Sequence, residues 1–500
     1  MWTRTGVFGG LAALAWLVIP ACSEDASPEG AADGSVTDSG DGGVRPDGGP
    51  CGADKTPFET NCTPTEGTFV KPGATGGDGT IGKPLGSLAT ALAKGGNIYV
   101  CAGTLSEKIA LSSTQVAAKV YGGLDCATWR FADGAATKVV AQEAPAFQAS
   151  DVVAPVEISD VSFETTNGAT AMFGVPRIAA FVSDTQALSF VRSAFKAPAG
   201  RPGFSGDDHG GSDVDFGGPN TRGPADGKGN NAVGAVEGAE AFCTCADGTT
   251  TTGGAGGALA TRGGDGSAIP FVYADVAPFT GSGGNGGCSS GAGGQNGKAG
   301  APGGPAASAG YLSASMGWTP SIGTSATPSN AGQGGGGGGG AAAAGGSGGC
   351  GGCGGTAGKG GSGGGGSIAF ASIGSTVAFA KCSFSVGAGG IGGKGGKGLD
   401  GQAGGSGGTG ACMGGSGGNG AGGSGGGGGN GGVSAGIAYI GARPSVDAAS
   451  TFNRPSVGAA GGKGGEAGVA SVTDGTHQGN PGLAGADGKD GEVADVFEVK

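Results

Sequence analysis

Short apolar stretches, separated by turn residues, recur between residues 51 and 200 and predict β-strands. Each stretch is rich in β-branched or aromatic residues. The predicted strands cover residues 97–101, 108–111, 116–121, 138–140, 156–163 and 177–182. Since no long helical pattern separates them, the alternation of strand and helix typical of a parallel α/β protein is excluded, and the class is all-β.

One helical pattern precedes these strands. Leu85, Leu88, Ala89 and Leu92 recur at helical spacing, and Lys94 and Gly95 mark the end of the helix. This spacing predicts a short amphipathic helix that caps the first strands.

An internal repeat indicates how the strands are arranged. The segment 188–195 matches 377–384, and in each case an apolar strand lies about ten residues upstream, near Ile178 and Ile368. A third copy starts near Val433. Repeats of this kind are typical of solenoids with long insertions at corresponding turns. We therefore predict a right-handed parallel β-helix, with a β-sandwich as the alternative.

Glycine separates the repeats. The chain has 127 glycines among 500 residues, about a quarter where roughly 7% is usual. Steps of three, as in 389–397, permit extended polyglycine-type helices, whereas the entropy of glycine equally permits unstructured loops. Residues 479–491 are collagen-like but too short for a triple helix. The predicted regions are a β-helical start (51–200), glycine-rich insertions with short strands (201–366), a strand repeat (367–386), a glycine-rich insertion (387–432) and a C-terminal strand with a glycine-rich tail (433–500).

The first residues have the features of an export signal. An uncharged apolar run follows Arg4 and ends in Ile19-Pro20-Ala21-Cys22, which is similar to the lipobox of bacterial lipoproteins. We predict a signal peptide over 1–21, lipidation of Cys22 and an acidic, disordered tether over 22–50. Ser23, in place of Asp, favours sorting to the outer membrane.

The net charge indicates which partners the chain can bind, and the cysteine content indicates the compartment in which it folds. The formal net charge is −12, which argues against nucleic-acid binding. Twelve cysteines in an exported chain predict disulfides, with one thiol left unpaired once Cys22 is lipidated. Cys51 with Cys62 can close a loop, and Cys101 and Cys126 lie about one repeat apart. Predicted staples of the glycine-rich loops are Cys350 and Cys353, together with Cys243, Cys245, Cys288, Cys382 and Cys412.

Three segments near the start of the β-region resemble a known family pattern. They are residues 79–92, 98–107 and 120–129, which contain "GKPLGSLATAL", "IYVCAGTLSE" and "VYGGLDCATW". Together they resemble the opening of secreted bacterial pectin-lyase-like β-helix proteins. With the lipobox and the glycine arrays, the chain resembles the glycine-rich (PE-PGRS-like) lipoproteins of myxobacteria, although it lacks the helical N-terminal domain of the mycobacterial PE-PGRS proteins. The resemblance implies a β-helix and a surface location, and it implies no activity.

Few residues are candidates for catalysis or metal binding. The two histidines, His209 and His477, lack partners at catalytic or zinc-ligand spacing. Asp213 and Asp215 form a D-x-D pair that could bind calcium, or could be a solvated loop. We therefore expect no catalytic residues and no cofactor other than a possible calcium ion.

The hypotheses for function rank as follows. First is a non-catalytic surface lipoprotein of the cell envelope, structural or adhesive, held at the membrane by its lipid anchor and in contact with polysaccharide or surface matrix. Second is a carbohydrate-binding β-helix module, which the scarcity of Trp makes less favourable. Third is a polysaccharide lyase or hydrolase acting through the Asp213 region.

Overall fold

The computed structural model describes residues 49–51, 56–142, 145–168, 173–206, 236–269, 281–473 and 477–500. Within these ranges, no helix has the length and apolar character needed to cross a bilayer. The structure is almost entirely β, and its strands form mainly parallel sheets.

Two short helices and one strand open the described chain. They are α1 (Pro57–Thr60), β1 (Thr68–Val70) and α2 (Leu88–Lys94). Helix α2 starts three residues later than the apolar spacing predicts, because Ser87 is its N-cap and accepts a hydrogen bond from the Thr90 amide (3.2 Å). The Glu107 carboxylate also accepts a hydrogen bond from the Leu88 amide (2.8 Å), which fixes the start of the helix against the following strands.

The next strands occur in circuits of three, with one strand in each of three sheets. In chain order the circuits are β2 (Gly96–Cys101), β3 (Gly103–Leu105) and β4 (Ile109–Leu111); β5 (Ala118–Leu124), β6 (Thr137–Gln142) and β7 (Phe147–Ser150); and β8 (Val156–Ser159), β9 (Val161–Thr166) and β10 (Arg177–Ser183). The fourth circuit begins with β11 (Leu188–Val191) and β12 (Ala194–Ala197).

A long excursion interrupts the fourth circuit and contains its own short strands. These are β13 (Ala241–Thr244), β14 (Thr250–Gly253), β15 (Ser267–Ile269), β16 (Gly310–Ser313) and β17 (Gly317–Pro320). The circuit is completed by β18 (Ser367–Ile373). The remaining strands are β19 (Val377–Ala380), β20 (Ser383–Val386), β21 (Ser434–Ile440), β22 (Ser445–Val446), β23 (Thr451–Asn453), β24 (Val472–Thr473), β25 (His477–Gln478) and β26 (Val493–Glu498).

Strands of successive circuits pair in parallel within each sheet. The first sheet has the order β1-β2-β5-β8-β11-β19-β22, the second β23-β20-β12-β9-β6-β3 and the third β26-β21-β18-β10-β7-β4. The sequence repeat is confirmed as direct pairing: Phe190 lies beside Phe379, and Phe195 lies beside Phe384. The third copy near Val433 is β21, which pairs with β18.

Inward-facing side chains of the three sheets form one continuous apolar core. In the second sheet, Phe163, Phe195, Phe384 and Phe452 stack in order, with ring centroids 5.7, 5.4 and 4.9 Å apart. Phe163, Phe195 and Phe384 are almost completely buried. Stacked rings in adjacent parallel strands fix the register, since a one-residue slip would turn each ring outward.

In three successive circuits the corner between the first and second sheets is a tight left-handed turn. Asp160, Arg192 and Lys381 occupy it in successive circuits with φ of 62°, 47° and 56°. Arg192 therefore lies at the corner between β11 and β12. In the second circuit the same corner is longer and contains residues 125–136, between β5 and β6.

The glycine-rich excursions leave from the corner between the second and third sheets. They occupy the intervals after β12, β20 and β23, and the chain returns through β18, β21 and β26. Excursions that follow neighbouring second-sheet strands are themselves neighbours, since the Gly200 amide donates to Ala388 O (2.9 Å) and the Gly395 amide to Lys463 O (2.8 Å). The layer order of the sheets therefore continues into the glycine-rich segments.

Hydrogen bonds between glycine-rich segments repeat every third residue. Within residues 334–340, successive amides donate to three different segments in rotation: Gly335 to Gly349, Gly336 to Ala292, Gly337 to Gly264, Gly338 to Gly346, Gly339 to Ser289 and Gly340 to Thr261. Carbonyls of the same run accept from three further segments, through the amides of Gly254, Gly284 and Gly415. This is the pattern expected of extended helices with three residues per turn, each with six neighbours.

We call these packed segments the glycine bundle. It comprises residues 200–206, 253–267, 281–304, 322–366, 387–432, 458–470 and 479–491. The bundle is ordered by backbone hydrogen bonds, so of the two possibilities left open by the sequence the structure has the extended helices. The collagen-like residues 479–491 lie at its edge, where the Gly485 amide donates to Gly465 O (2.9 Å).

Candidate functional site

Five disulfides cross-link the described chain. Cys51 pairs with Cys62 and Cys101 with Cys126, the two pairings that the sequence suggests. Cys350 and Cys353 do form disulfides, but with Cys243 and Cys245 rather than with each other, and Cys288 pairs with Cys412. The last three bonds all lie in the long excursion and the glycine bundle, where little apolar side-chain surface is available for burial.

Cys382 was predicted to be a staple, and that prediction is wrong. It is a buried free thiol in the corner that follows β19. Its Sγ donates to Phe190 O (3.4 Å), just as the Ser193 hydroxyl one circuit earlier donates to Ile158 O (3.2 Å). Burial raises the pKa of the Cys382 thiol to about 11, which keeps it neutral.

A column of polar side chains crosses the outer face of the first sheet. Asn97, Lys119, Glu157 and Ser189 occupy equivalent positions in β2, β5, β8 and β11 and are in register. All four side chains are at least partly exposed. The next equivalent residue is Ala378, so this polar column does not continue into β19.

Beside this column is a groove with a volume of about 310 Å³. Its floor consists of one small residue from each circuit, namely Gly96, Ala117, Pro155 and Ala187. The carbonyls of Ala117, Pro155 and Ala187 accept hydrogen bonds from the amides of Gly96, Ala118 and Val156 (2.9–3.1 Å). The backbone beneath the groove is therefore hydrogen-bonded, and the polar column forms one wall.

Two tyrosines lie on the far side of the polar column. Tyr99 and Tyr121 stack with centroids 5.5 Å apart and are almost fully buried. Burial, with a smaller contribution from the Glu157 carboxylate, raises the pKa of Tyr121 to about 12. Burial likewise raises the pKa of Tyr99, opposed by a hydrogen bond to Asn97. Both phenols are thus neutral hydrogen-bonding groups next to the column.

Arg192 has a structural partner. Its Nε and Nη2 atoms each donate to the Asp160 carboxylate at 2.8 Å, and its guanidinium lies 3.6 Å from the centre of the Phe58 ring. A bidentate pair stacked on an aromatic ring is a rigid arrangement. It ties the corner of the sheets to helix α1.

The principal predicted sites lie outside the described residues. Cys22, the D-x-D pair Asp213 and Asp215, and His209 all belong to this category, so lipidation of Cys22 and calcium binding at Asp213 and Asp215 stay predictions. In the described ranges, no three His, Cys, Asp or Glu side chains come together in a way that could hold a metal ion. No motif in the sequence marks the groove, because its residues are common types and only the strand register brings them together.

Comparison of the chain with protein-family models, with curated proteins and with solved structures gives no match.

Proposed function

We propose that this chain is a non-catalytic surface lipoprotein of the cell envelope with a structural or adhesive role. The observation that carries the proposal is the glycine bundle: its layers continue two β-sheets, one disulfide joins two of its segments and two more tie it to β13 and the turn that follows. Such a body is suited to a long-lived extracellular surface, where disulfides persist. The resemblance to glycine-rich lipoproteins agrees with this role.

Within this proposal the three sheets are a right-handed parallel β-helix of the pectin-lyase-like type. Each circuit returns to the first sheet after three strands, and crossovers between parallel strands are right-handed in nearly all proteins. The alternative β-sandwich is built from antiparallel sheets, whereas neighbouring strands of the three large sheets here run parallel.

The proposed attachment is through Cys22, with the acidic residues 22–50 as a spacer between the lipid and the folded body. The membrane is then a partner through the anchor, and the outer membrane is the proposed location. Polysaccharide or surface matrix is the proposed contact of the folded part.

Lipidation can be tested by feeding cells that express the full chain with radiolabelled palmitate. We expect label in the wild type, none in Cys22→Ser, and release of the wild-type chain from intact cells by external protease. Label in both proteins, or protection of the chain from protease until the cells are lysed, would contradict the proposal.

Catalysis is tested with the purified full chain and a panel of acidic and neutral polysaccharides, with and without calcium, analysed by size. We expect polysaccharide of unchanged length. Shortened product that is lost in Asp213→Asn together with Asp215→Asn would instead support the lyase or hydrolase alternative.

A further inference from the structure

The groove on the first sheet and its polar column suggest a ligand site. We propose that it binds an extended, uncharged polysaccharide chain laid across β2, β5, β8 and β11. This deepens the adhesive role proposed above and rests on it, because it names the chemistry of the contact and the residues that make it.

The spacing of the column fits a polymer rather than a compact ligand. Asn97, Lys119, Glu157 and Ser189 are on four consecutive strands, and adjacent strands are about 4.8 Å apart. They provide an amide, an ammonium, a carboxylate and a hydroxyl in sequence. A chain with hydroxyl groups on every unit can donate to and accept from each of these in turn.

The floor of the groove suits the C–H faces of sugar rings. Gly96, Ala117, Pro155 and Ala187 are small, so the ligand can approach the sheet closely, and the cavity of about 310 Å³ lies at the lower end of the range for ligand pockets. The stacked Tyr99 and Tyr121 next to the column are almost fully buried, so they support β2 and β5 and do not contact the ligand.

The charge of the groove favours a neutral polymer. Among its lining residues Lys119 and Glu157 carry opposite charges, so the site has no net charge with which to attract a polyuronate. A single ammonium next to a carboxylate would bind an acidic polymer weakly, and salt would screen that attraction.

An extended peptide is a less suitable occupant. Peptides that add to a sheet need a strand edge with unpaired backbone groups. Here β2, β5, β8 and β11 each pair on both sides, so the backbone is closed and only side chains are available.

The inference is tested with the full chain and two soluble neutral polymers, a β-glucan and dextran, using affinity electrophoresis. The test variant is Ala117→Trp, which fills the groove from an exposed position. The matched control is Ala110→Trp, an exposed alanine on the third sheet. We expect at least one neutral polymer to bind, roughly tenfold weaker binding by Ala117→Trp, and unchanged binding by Ala110→Trp.

A second variant, Lys119→Met together with Glu157→Gln, tests the column without altering bulk or net charge. We expect it to weaken binding of the neutral polymer, whereas the folded structure, followed by circular dichroism, stays unchanged. Equal binding by wild type, Ala117→Trp and Ala110→Trp would overturn the groove as the site and leave the adhesive role intact. Binding of polygalacturonate alone, or of no polymer, would overturn the inference.

Shortening of the bound polymer by wild type would defeat the non-catalytic function proposed above. If Ala117→Trp still lost binding in that case, the groove would remain the supported site.

Discussion

The β-sheets and the glycine bundle share one layer order but are stabilised in opposite ways. In the sheets, large side chains such as Phe195 and Phe384 fill the interior between strands. In the bundle, the absence of side chains allows backbones to meet, and a Cβ at Gly337 would overlap the carbonyl of Ala255. The interior of the sheets is thus stabilised by burial of apolar side chains, and the interior of the bundle is stabilised by backbone hydrogen bonds.

The comparison also explains where disulfides are placed. Ordering the glycines of the bundle costs much conformational entropy, and burial of apolar surface offsets little of that cost. Three of the five disulfides in the described residues have at least one cysteine in the bundle, and their partners are 107, 108 and 124 positions apart in the sequence. Long closed loops restrict the unfolded chain most in the entropic account of disulfide stabilisation.

The largest expected effect is the loss of those three bonds. Replacing Cys243, Cys245 and Cys288 together by Ser removes restraints of about 2 to 5 kcal/mol each. We expect the bundle amides to exchange hydrogen far faster while the amides of β5, β8 and β11 stay protected, as followed by hydrogen exchange with mass spectrometry. Equal loss of protection in both regions would show that they unfold as one unit.

The matched experiment on the sheets removes a core ring. Phe195→Ala leaves a cavity between Phe163 and Phe384 and should cost about 3 to 5 kcal/mol. Hydrogen exchange should rise first in the strands that pair with β12. An exposed change on the same strand, Lys196→Ala, is the control and should have little effect.

Adding one methyl group to the bundle should be nearly as damaging as removing a core group. Gly294→Ala places a Cβ against the carbonyl of Gln333, whereas Gly293→Ala, its neighbour, meets nothing closer than 3.7 Å. We expect Gly294→Ala to cost about 1 to 3 kcal/mol and Gly293→Ala almost nothing, measured by thermal unfolding. Similar melting of the two variants would contradict the packing described above.

The smallest effect is expected at Cys382. Cys382→Ser restores the hydroxyl that Ser193 has one circuit earlier, so stability should change by less than about 1 kcal/mol near neutral pH. In the wild type the thiol titrates at about 11 when folded, above its usual value of 9.0. The unfolded chain therefore loses this proton first, and stability should fall as pH rises from 9 to 11. The serine variant should lack that part of the decline in urea titrations at increasing pH.

Most of the sheet architecture could be predicted from local pattern. The match between 188–195 and 377–384 is the pairing of β11 with β19 and of β12 with β20. That the glycine-rich segments are ordered could not be predicted. An isolated glycine triplet has no preferred backbone conformation until neighbouring segments hydrogen-bond to its three faces. The pairing of Cys350 with Cys243 depends on that packing and not on spacing in sequence.

The groove could not be predicted from the sequence, because it also depends on how the strands pair. Asn97 and Ser189 are unremarkable polar residues 92 positions apart along the chain (189 − 97), and only the register of four parallel strands aligns them. Lys381 and Arg192 match in the sequence repeat, yet Arg192 pairs with Asp160, whereas the backbone amide of Lys381 donates to Asp447. Equivalent positions thus acquire different partners from their own circuits.

The threefold rotation of hydrogen-bond partners in the bundle has a genetic consequence. Each excursion departs and returns at the same corner, so its length is not fixed by the sheets. Gain or loss of three codons moves a segment by one full turn and keeps each glycine facing its neighbour, whereas a single codon rotates every later residue by about a third of a turn. Replication slippage in units of three codons can therefore lengthen or shorten these tracts, and each remaining glycine still faces the same neighbouring segment.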